Sequence, residues 1–144
     1  MWNTIQETFR LQFEDKNIRW VEPDIDIVKI IGNIIDMLRI FRNLVQNALK
    51  YGGNSLSEVT MGYRRSEKHH ILMVENKGER IPEKDEEIIF KELKRKPTTS
   101  KVYGSGLGLA IVMEIAKKHK GQSWLTKGSD GEPIFCVSIA QNLT

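Results

Sequence analysis

The chain lacks several features that would narrow its class at once. Its 144 residues contain one cysteine, Cys136, so no internal disulfide can form and a reducing compartment fits. No apolar run approaches the ~18–20 residues that a membrane-spanning helix needs. Residues 1–7 also lack the basic and apolar regions of a signal peptide. We therefore expect a cytoplasmic segment without direct membrane contact, whose longer parent chain could still be membrane-anchored.

Neither sign of charge dominates the composition. The chain has 22 basic and 19 acidic residues, a net charge of +3. This surplus lacks the interleaved aromatic and basic pattern of nucleic-acid binders, so we expect no nucleic-acid partner. Hydrophobic residues make up 40% and charged residues 28% of the chain, which is typical of a globular protein with a packed core. The length fits a single domain over residues 1–144.

The periodicity of apolar residues predicts an α+β fold. The predicted helices cover residues 4–14, 34–51 and 107–118, and the predicted strands cover 18–21, 58–65, 70–75, 122–126 and 133–139. The polar turn after residue 65 predicts that the second and third strands form a hairpin. We expect a two-layer α/β sandwich in which helices cover one face of a mixed, mostly antiparallel sheet. Cys136 falls in the last strand and is expected to be buried.

Three polar residues share one face of the helix predicted over 34–51. Asn43, Asn47 and Lys50 fall within about 60° of one another on a helical wheel, nearly opposite the stripe of Phe41, Val45 and Ala48. A solvated helix face is the simplest interpretation. Asparagine is a mediocre helix former, however, and its oxygen suits a hard cation, while a lysine beside it suits phosphate. The face is therefore also a candidate ligand site.

A glycine-rich turn leads directly into the helix predicted over 107–118. Its residues are Gly104, Ser105, Gly106, Leu107, Gly108 and Leu109. Alternating glycines let the backbone approach a ligand, and the N–H groups at a helix start favour an anion. The turn is not a Walker loop, because no Gly-Lys-Ser/Thr sequence follows. It predicts phosphate binding, with close helix packing as the alternative reason for the glycines.

The stretch between residues 76 and 103 has few core-forming residues and many charges. Its last part carries four bases without an acid, at Lys94, Arg95, Lys96 and Lys101, immediately before the glycine turn. A long segment of this kind inside a compact domain is usually a lid or a binding loop. We expect the basic cluster to close over a polyphosphate.

Four segments now carry a resemblance to a known family. Residues 41–51, 76–82, 89–90 and 104–111 look like the N, G1, F and G2 boxes, in that order, of the sensor histidine kinase ATP-binding domain. That domain has the Bergerat-type fold shared with gyrase, Hsp90 and MutL. The resemblance covers nearly the whole chain; the N and G2 boxes are specific and the other two are degenerate. It implies a mobile ATP lid over about 82–103.

The resemblance also implies residue roles in a Mg·ATP site. Asn47 would help hold Mg²⁺, with Asn43 beside it, and the catalytic set would be Asn43, Lys50 and Lys101. The implied nucleotide-binding residues are Asn47, Tyr51, Asn76, Gly78, Ile81, Gly104, Ser105, Gly106, Leu107, Gly108 and Leu109. ATP-hydrolysing relatives have a water-activating glutamate where this chain has Asn43. We therefore expect transfer of the γ-phosphate rather than efficient hydrolysis.

The G1 segment departs from the family pattern Asp-x-Gly-x-Gly. Asn76 stands at the aspartate that accepts a hydrogen bond from the adenine amino group, and Arg80 stands at the second glycine. An asparagine carbonyl can accept the same bond with less strength, because it carries no charge. Glu75 could substitute only if the strand alternation breaks. A nucleotide-binding regulatory or pseudokinase module, and a serine kinase of the anti-sigma-factor type, are thus alternatives to a histidine kinase.

No histidine matches the family's phosphoacceptor. His69 and His70 lie in the predicted hairpin and His119 lies between lysines, so we expect all three on the surface. The phosphoacceptor and sensor domains are expected outside this chain. The expected partners are a histidine-bearing dimerisation domain of a homodimeric parent kinase and a downstream response regulator.

Overall fold

The sheet is built from strands that alternate apolar and polar residues. The computed structural model describes residues 1–51, 55–78 and 107–141. Its elements in chain order are α1 (Trp2–Asp15), β1 (Arg19–Val21), α2 (Ile27–Ile31), α3 (Ile34–Tyr51), β2 (Glu58–Arg65), β3 (His69–Lys77), α4 (Leu107–Lys118), β4 (Ser123–Lys127) and β5 (Pro133–Ala140). The bounds predicted for α3, β2 and α4 are confirmed, and the other predicted elements differ from the structure by a few residues at their ends.

Five strands form one sheet in the order β1-β2-β3-β5-β4. β1 pairs with β2 in parallel, and the remaining neighbours pair antiparallel. The hairpin between β2 and β3 closes at Ser66, whose N–H donates to the carbonyl of His69 at 2.8 Å. The predicted α+β fold with a mixed, mostly antiparallel sheet is confirmed.

The core lies between one face of this sheet and the helices. Along β3 the alternation places Leu72 and Val74 in the core, and both side chains are fully buried. Phe41 of α3 packs edge-on against Trp2 of α1, with ring centroids 4.8 Å apart. Full burial of each such side chain stabilises the fold by roughly 1.5–3 kcal/mol. Cys136 of β5 is also buried, as expected, and burial raises the pKa of its thiol to about 11.

The short helix α2 was not predicted, because five residues are too few to show a helical period. Its end signals are nevertheless present in the sequence. Asp26 caps the first turn by accepting a hydrogen bond from the N–H of Lys29, and Gly32 ends the helix in the left-handed region with a φ of 91°. The two caps, rather than periodicity, are the signal that identifies this element.

The amino-terminal end of α3 is joined to the end of α4 by a buried carboxylate. Asp36 is only 4% exposed, and its Oδ2 accepts hydrogen bonds from His119 Nε2 at 2.8 Å and Lys118 Nζ at 3.0 Å. Burial alone raises the pKa of Asp36, but these hydrogen bonds and the positive charges outweigh it, so the pKa is lowered. The ionised form of Asp36 is therefore favoured in the folded protein.

The expectation that all three histidines lie on the surface is wrong for His70, which is buried, and His119 is only partly exposed. Each has found a polar partner: His70 Nδ1 lies 2.7 Å from the hydroxyl of Tyr63, and His119 contacts Asp36. Burial, with a contribution from the charge of Arg65, lowers the pKa of His70. His70 is thus a neutral structural residue.

Within the three described ranges, no helix combines the length and apolarity that crossing a bilayer requires.

Candidate functional site

Two helices approach each other closely where the glycine-rich segment enters α4. A Cβ atom on Gly108 would lie 2.8 Å from Oδ1 of Asn43 on α3, which is closer than real Cβ contacts. Asn43 is held in place by its Nδ2, which donates to the carbonyl of Arg39 at 2.7 Å. Glycine at 108 therefore lets the two helices approach without displacing the Asn43 amide, which agrees with helix packing as the alternative reason for this glycine. The same packing places the first turn of α4 beside Asn43.

The prediction that Asn43, Asn47 and Lys50 share a face outside the core is wrong for Asn47. Lys50 is exposed and Asn43 is half-buried, but Asn47 is only 6% exposed. The apolar stripe is wider than predicted, because Ile40 is fully buried and lies seven residues before Asn47 on nearly the same side of the helix. Asn47 Nδ2 has no hydrogen-bond partner in the part of the chain that the structure describes.

Asn76 is a more extreme case, at the end of β3. Its side chain is 1% exposed, and neither Oδ1 nor Nδ2 has a hydrogen-bond partner among residues 1–51, 55–78 and 107–141. It pairs across the sheet with Val59, and Val74 precedes it on the same face, so its immediate surroundings are apolar. Each unsatisfied buried group costs about 1–3 kcal/mol. Such groups call for an explanation, and a bound ligand supplies one.

Glu75 does not take the place of Asn76. The alternation of β3 continues through residue 76, so Glu75 faces the opposite side of the sheet. There its carboxyl group forms a hydrogen bond with Glu132. Burial first, and then this hydrogen bond, raise the pKa of Glu75, while the same bond lowers the pKa of Glu132. The two carboxyl groups thus interact with each other on the face of the sheet opposite Asn76.

Gly78 allows the chain to leave β3. Its φ of 148° lies in the region that side chains rarely adopt, and a Cβ there would collide with the backbone of Ser55 and Leu56. Glycine is thus required at this position by the backbone itself. Gly78 thus lets the chain continue from the end of β3, where Asn76 lies, past the backbone of Ser55 and Leu56 that leads into β2.

The remaining predicted site residues divide into two groups. Leu109 is fully buried and its side chain packs in the core. The proposed lid at 82–103, the side chains of Tyr51 and Leu107, and Ile81, Lys101, Gly104, Ser105 and Gly106 lie outside the described residues.

The described residues at this place offer amide oxygens and backbone N–H groups, which are groups that cations and anions can bind. α3 packs against both α4 and β3, and Gly108 at the start of α4 lies beside Asn43 in the carboxyl-terminal half of α3. The amides of Asn43 and Asn47 offer the hard oxygen ligands that Mg²⁺ prefers. The first turn of α4 offers backbone N–H groups for an anion. A half-turn of an amide about its last torsion exchanges oxygen and nitrogen, so Asn47 can present either to a ligand.

The comparison with known families gives the class of this domain. The profile described as "Histidine kinase-, DNA gyrase B-, and HSP90-like ATPase" matches residues 32–142. The chain belongs to this family, which confirms the resemblance drawn from the four boxes.

Particular relatives are sensor kinases. The adaptive-response sensory kinase SasA of Prochlorococcus marinus strain MIT 9313 is 32% identical over 130 residues, covering 87% of this chain and 34% of that protein. The sensor protein kinase PmrB of Pseudomonas aeruginosa is 32% identical over 123 residues, covering 79% and 25%. The catalytic domain of the histidine kinase ThkA has the same fold, with a TM-score of 0.69, 24% identity and coverage of 96% of this chain and 89% of that one. The chain spans 15–34% of the length of these curated relatives and of the similar phytochrome-like protein Cph1 of Synechocystis.

Proposed function

We propose that this chain binds Mg·ATP at the junction of α3, α4 and β3 and transfers the γ-phosphate to a histidine on a separate dimerisation domain. The observation that carries the proposal is the pair of buried amides, Asn47 and Asn76, with polar atoms that lack partners in the described residues. Family membership supplies the class of ligand, a nucleoside triphosphate, whose phosphate oxygens can accept from Asn47 Nδ2 and whose base can bond to Asn76. The parent protein would be a homodimeric two-component kinase acting on a response regulator.

Each residue has a distinct part in this proposal. Asn47 would hold Mg²⁺ through its amide oxygen, with Asn43 beside it, and the bound ion would neutralise triphosphate charge. Lys50 and Lys101 add positive charge near the phosphates, and the first turn of α4 at Gly108 donates backbone N–H groups to them. Asn76 addresses the base. Phosphoryl transfer needs little covalent chemistry from the protein, so positioning and charge neutralisation supply most of the catalysis.

Asn43 favours transfer over hydrolysis. It stands one helical turn before Asn47, and its amide cannot take a proton from an attacking water as a carboxylate would. Its Nδ2 is already engaged with the carbonyl of Arg39. The acceptor would come from another domain, because His70 is buried, His119 is held by Asp36, and His69, at the end of the β2–β3 hairpin, contacts the carbonyl of Lys120 through its Nε2.

The proposal is tested by removing the Mg²⁺ ligand. Asn47→Ala should abolish Mg-dependent ATP binding, measured by isothermal titration with Mg²⁺ and with EDTA. Gln46→Ala is the matched control, because Gln46 is the exposed neighbour on the same helix. An Asn47→Ala protein that keeps the wild-type Mg·ATP titration would contradict the assignment.

One observation favours a regulatory or pseudokinase module as the second candidate. Asn76 is uncharged where the family carries aspartate, which weakens the hydrogen bond expected to the base. A phosphotransfer assay with an added histidine-bearing dimerisation domain separates the two. ATP binding without transfer supports the regulatory module. Acid-stable phosphate on a protein acceptor, in place of acid-labile phosphate, indicates the serine kinase alternative.

A further inference from the structure

The side chain of Asn76 offers two different hydrogen-bonding groups to the same space. Its amide has an acceptor, Oδ1, and a donor, Nδ2, and both are buried without a partner among the described residues. A carboxylate at this position would offer acceptors only. Since no described residue bonds to either atom, none of them fixes which way the amide faces. Both orientations are open to it, because the oxygen and the amino group have nearly the same size.

Two classes of purine present opposite groups at position 6. Adenine carries an amino donor at C6 with an acceptor at N1, whereas a 6-oxopurine carries an acceptor at C6 with a donor at N1. An amide matches adenine in one orientation and a 6-oxopurine after a half-turn. A carboxylate that faces the C6 substituent accepts from the adenine amino group but is repelled by the 6-oxo group, and it gains a hydrogen bond from the 6-oxopurine only where it faces N1–H.

We propose that Asn76 broadens the nucleotide specificity of the site, so that it accepts 6-oxopurine nucleoside triphosphates as well as ATP. The inference rests on the proposed function, since it assumes that Asn76 addresses the base. According to this inference, Asn76 sets the selectivity between purines and also contributes to affinity.

The surroundings of Asn76 support a dominant role in selectivity. Val59 lies opposite it in the register of β2 and β3, and Val74 precedes it on the same face; both are fully buried and apolar. Glu75, the nearest carboxyl group along the strand, faces the other side of the sheet and is paired with Glu132. Neither valine can hydrogen-bond to a base, and Glu75 is directed away. Among these described neighbours, the Asn76 amide is therefore the group that can set selectivity at this point.

Titration of the chain with Mg·ATP and Mg·ITP tests the inference. Inosine triphosphate differs from ATP at the purine 6-position and N1 and carries no extra 2-amino group, so it isolates the group that Asn76 would address. In the wild type the two dissociation constants should lie within about tenfold of each other. Asn76→Asp should widen the preference for ATP by at least about tenfold, because the 6-oxo group then faces a buried charge.

Glu75→Gln is the matched control variant. It exchanges a carboxyl group and an amide one residue away on the opposite face, and it should leave the ratio of the two dissociation constants unchanged. Circular dichroism and thermal melting establish that each variant is folded. If Asn76→Asp fails to fold, Asn76→Leu replaces it: removal of both hydrogen-bonding groups should weaken ATP and ITP binding by similar factors.

The outcomes separate this inference from the function beneath it. A wild type that binds ATP but discriminates against ITP by more than about tenfold overturns the inference and leaves the proposed function intact. An Asn76→Asp protein with the wild-type ratio does the same. A folded wild type that binds neither nucleotide overturns the proposed function, and the inference with it.

Discussion

Helix α3 has buried polar side chains near both of its ends, and their hydrogen bonding differs between the two ends. At the amino-terminal end, Asp36 is hydrogen-bonded to His119 and Lys118. At the other end, Asn47 keeps a buried donor without a partner in the described residues, and Asn76 on the adjoining strand keeps a donor and an acceptor. A protein selected for stability alone would satisfy or remove these amides. Under the proposed function, the difference separates a cluster that holds the fold together from one that a ligand would satisfy.

Asn76→Leu should give the largest effect, with opposite signs for binding and stability. Nucleotide affinity should fall at least about a hundredfold, since the base loses its polar contact. The free energy of unfolding without nucleotide should rise by about 1 kcal/mol, because two unsatisfied buried groups are replaced by apolar surface. Isothermal titration and urea unfolding measure the two quantities.

Asn3→Leu is the control for this substitution, because Asn3 is exposed on α1. It should leave affinity unchanged and alter stability by less than about 0.5 kcal/mol. A destabilised Asn76→Leu protein would show that the amide has a structural role in the free protein, and the comparison between the two ends of α3 would fail.

Asp36→Ala should give the opposite result. The free energy of unfolding should fall by about 2 kcal/mol, since buried hydrogen bonds to a charged group are lost and His119 is left without its partner. Mg·ATP affinity of the folded fraction should stay within about twofold of the wild type. Urea unfolding and titration check both statements, with the exposed Asp15→Ala as control. A large loss of affinity at unchanged stability would place Asp36 in the ligand site instead.

Gly108→Ala should have a smaller effect that falls mainly on binding. Alanine gains roughly 1 kcal/mol of helix propensity over glycine, but its Cβ displaces Oδ1 of Asn43. These terms nearly cancel in stability, whereas displacement of Asn43 should weaken Mg·ATP binding several-fold. A double-mutant cycle with Asn43→Ala tests the cause, because removal of the Asn43 amide should remove most of the penalty. Additive effects on affinity would show that the Asn43–Gly108 contact is not responsible.

Sequence reasoning recovered the elements with a clear period and the polar residues worth attention. α3 followed from the three- and four-residue spacing of its apolar residues, α4 from the glycines that flank it, and the mixed sheet from the order of elements. The sequence did not reveal that Asn47 is buried, because the apolar stripe predicted for the helix omitted Ile40. It also did not reveal the partnership of Asp36 with His119, since the two residues are 83 positions apart and meet only through packing of α3 and α4. Both the burial of Asn47 and the contact of Asp36 with His119 depend on tertiary packing, which local periodicity does not encode.

The smallest predicted effect is the pH dependence of the stability that Asp36 contributes at the amino-terminal end of α3. The folded protein lowers the pKa of Asp36 below its ordinary value of 3.8, since the hydrogen bonds and charges of His119 and Lys118 outweigh burial. A carboxyl group whose pKa is lower in the folded state stabilises the fold above its unfolded pKa, and this contribution is lost as the pH falls through the folded pKa. Wild type should therefore lose more stability than Asp36→Asn as the pH falls below about 4. Urea unfolding at several acidic pH values should show a difference in slope of no more than one proton, and parallel curves would mean that Asp36 does not hold its charge through this cluster.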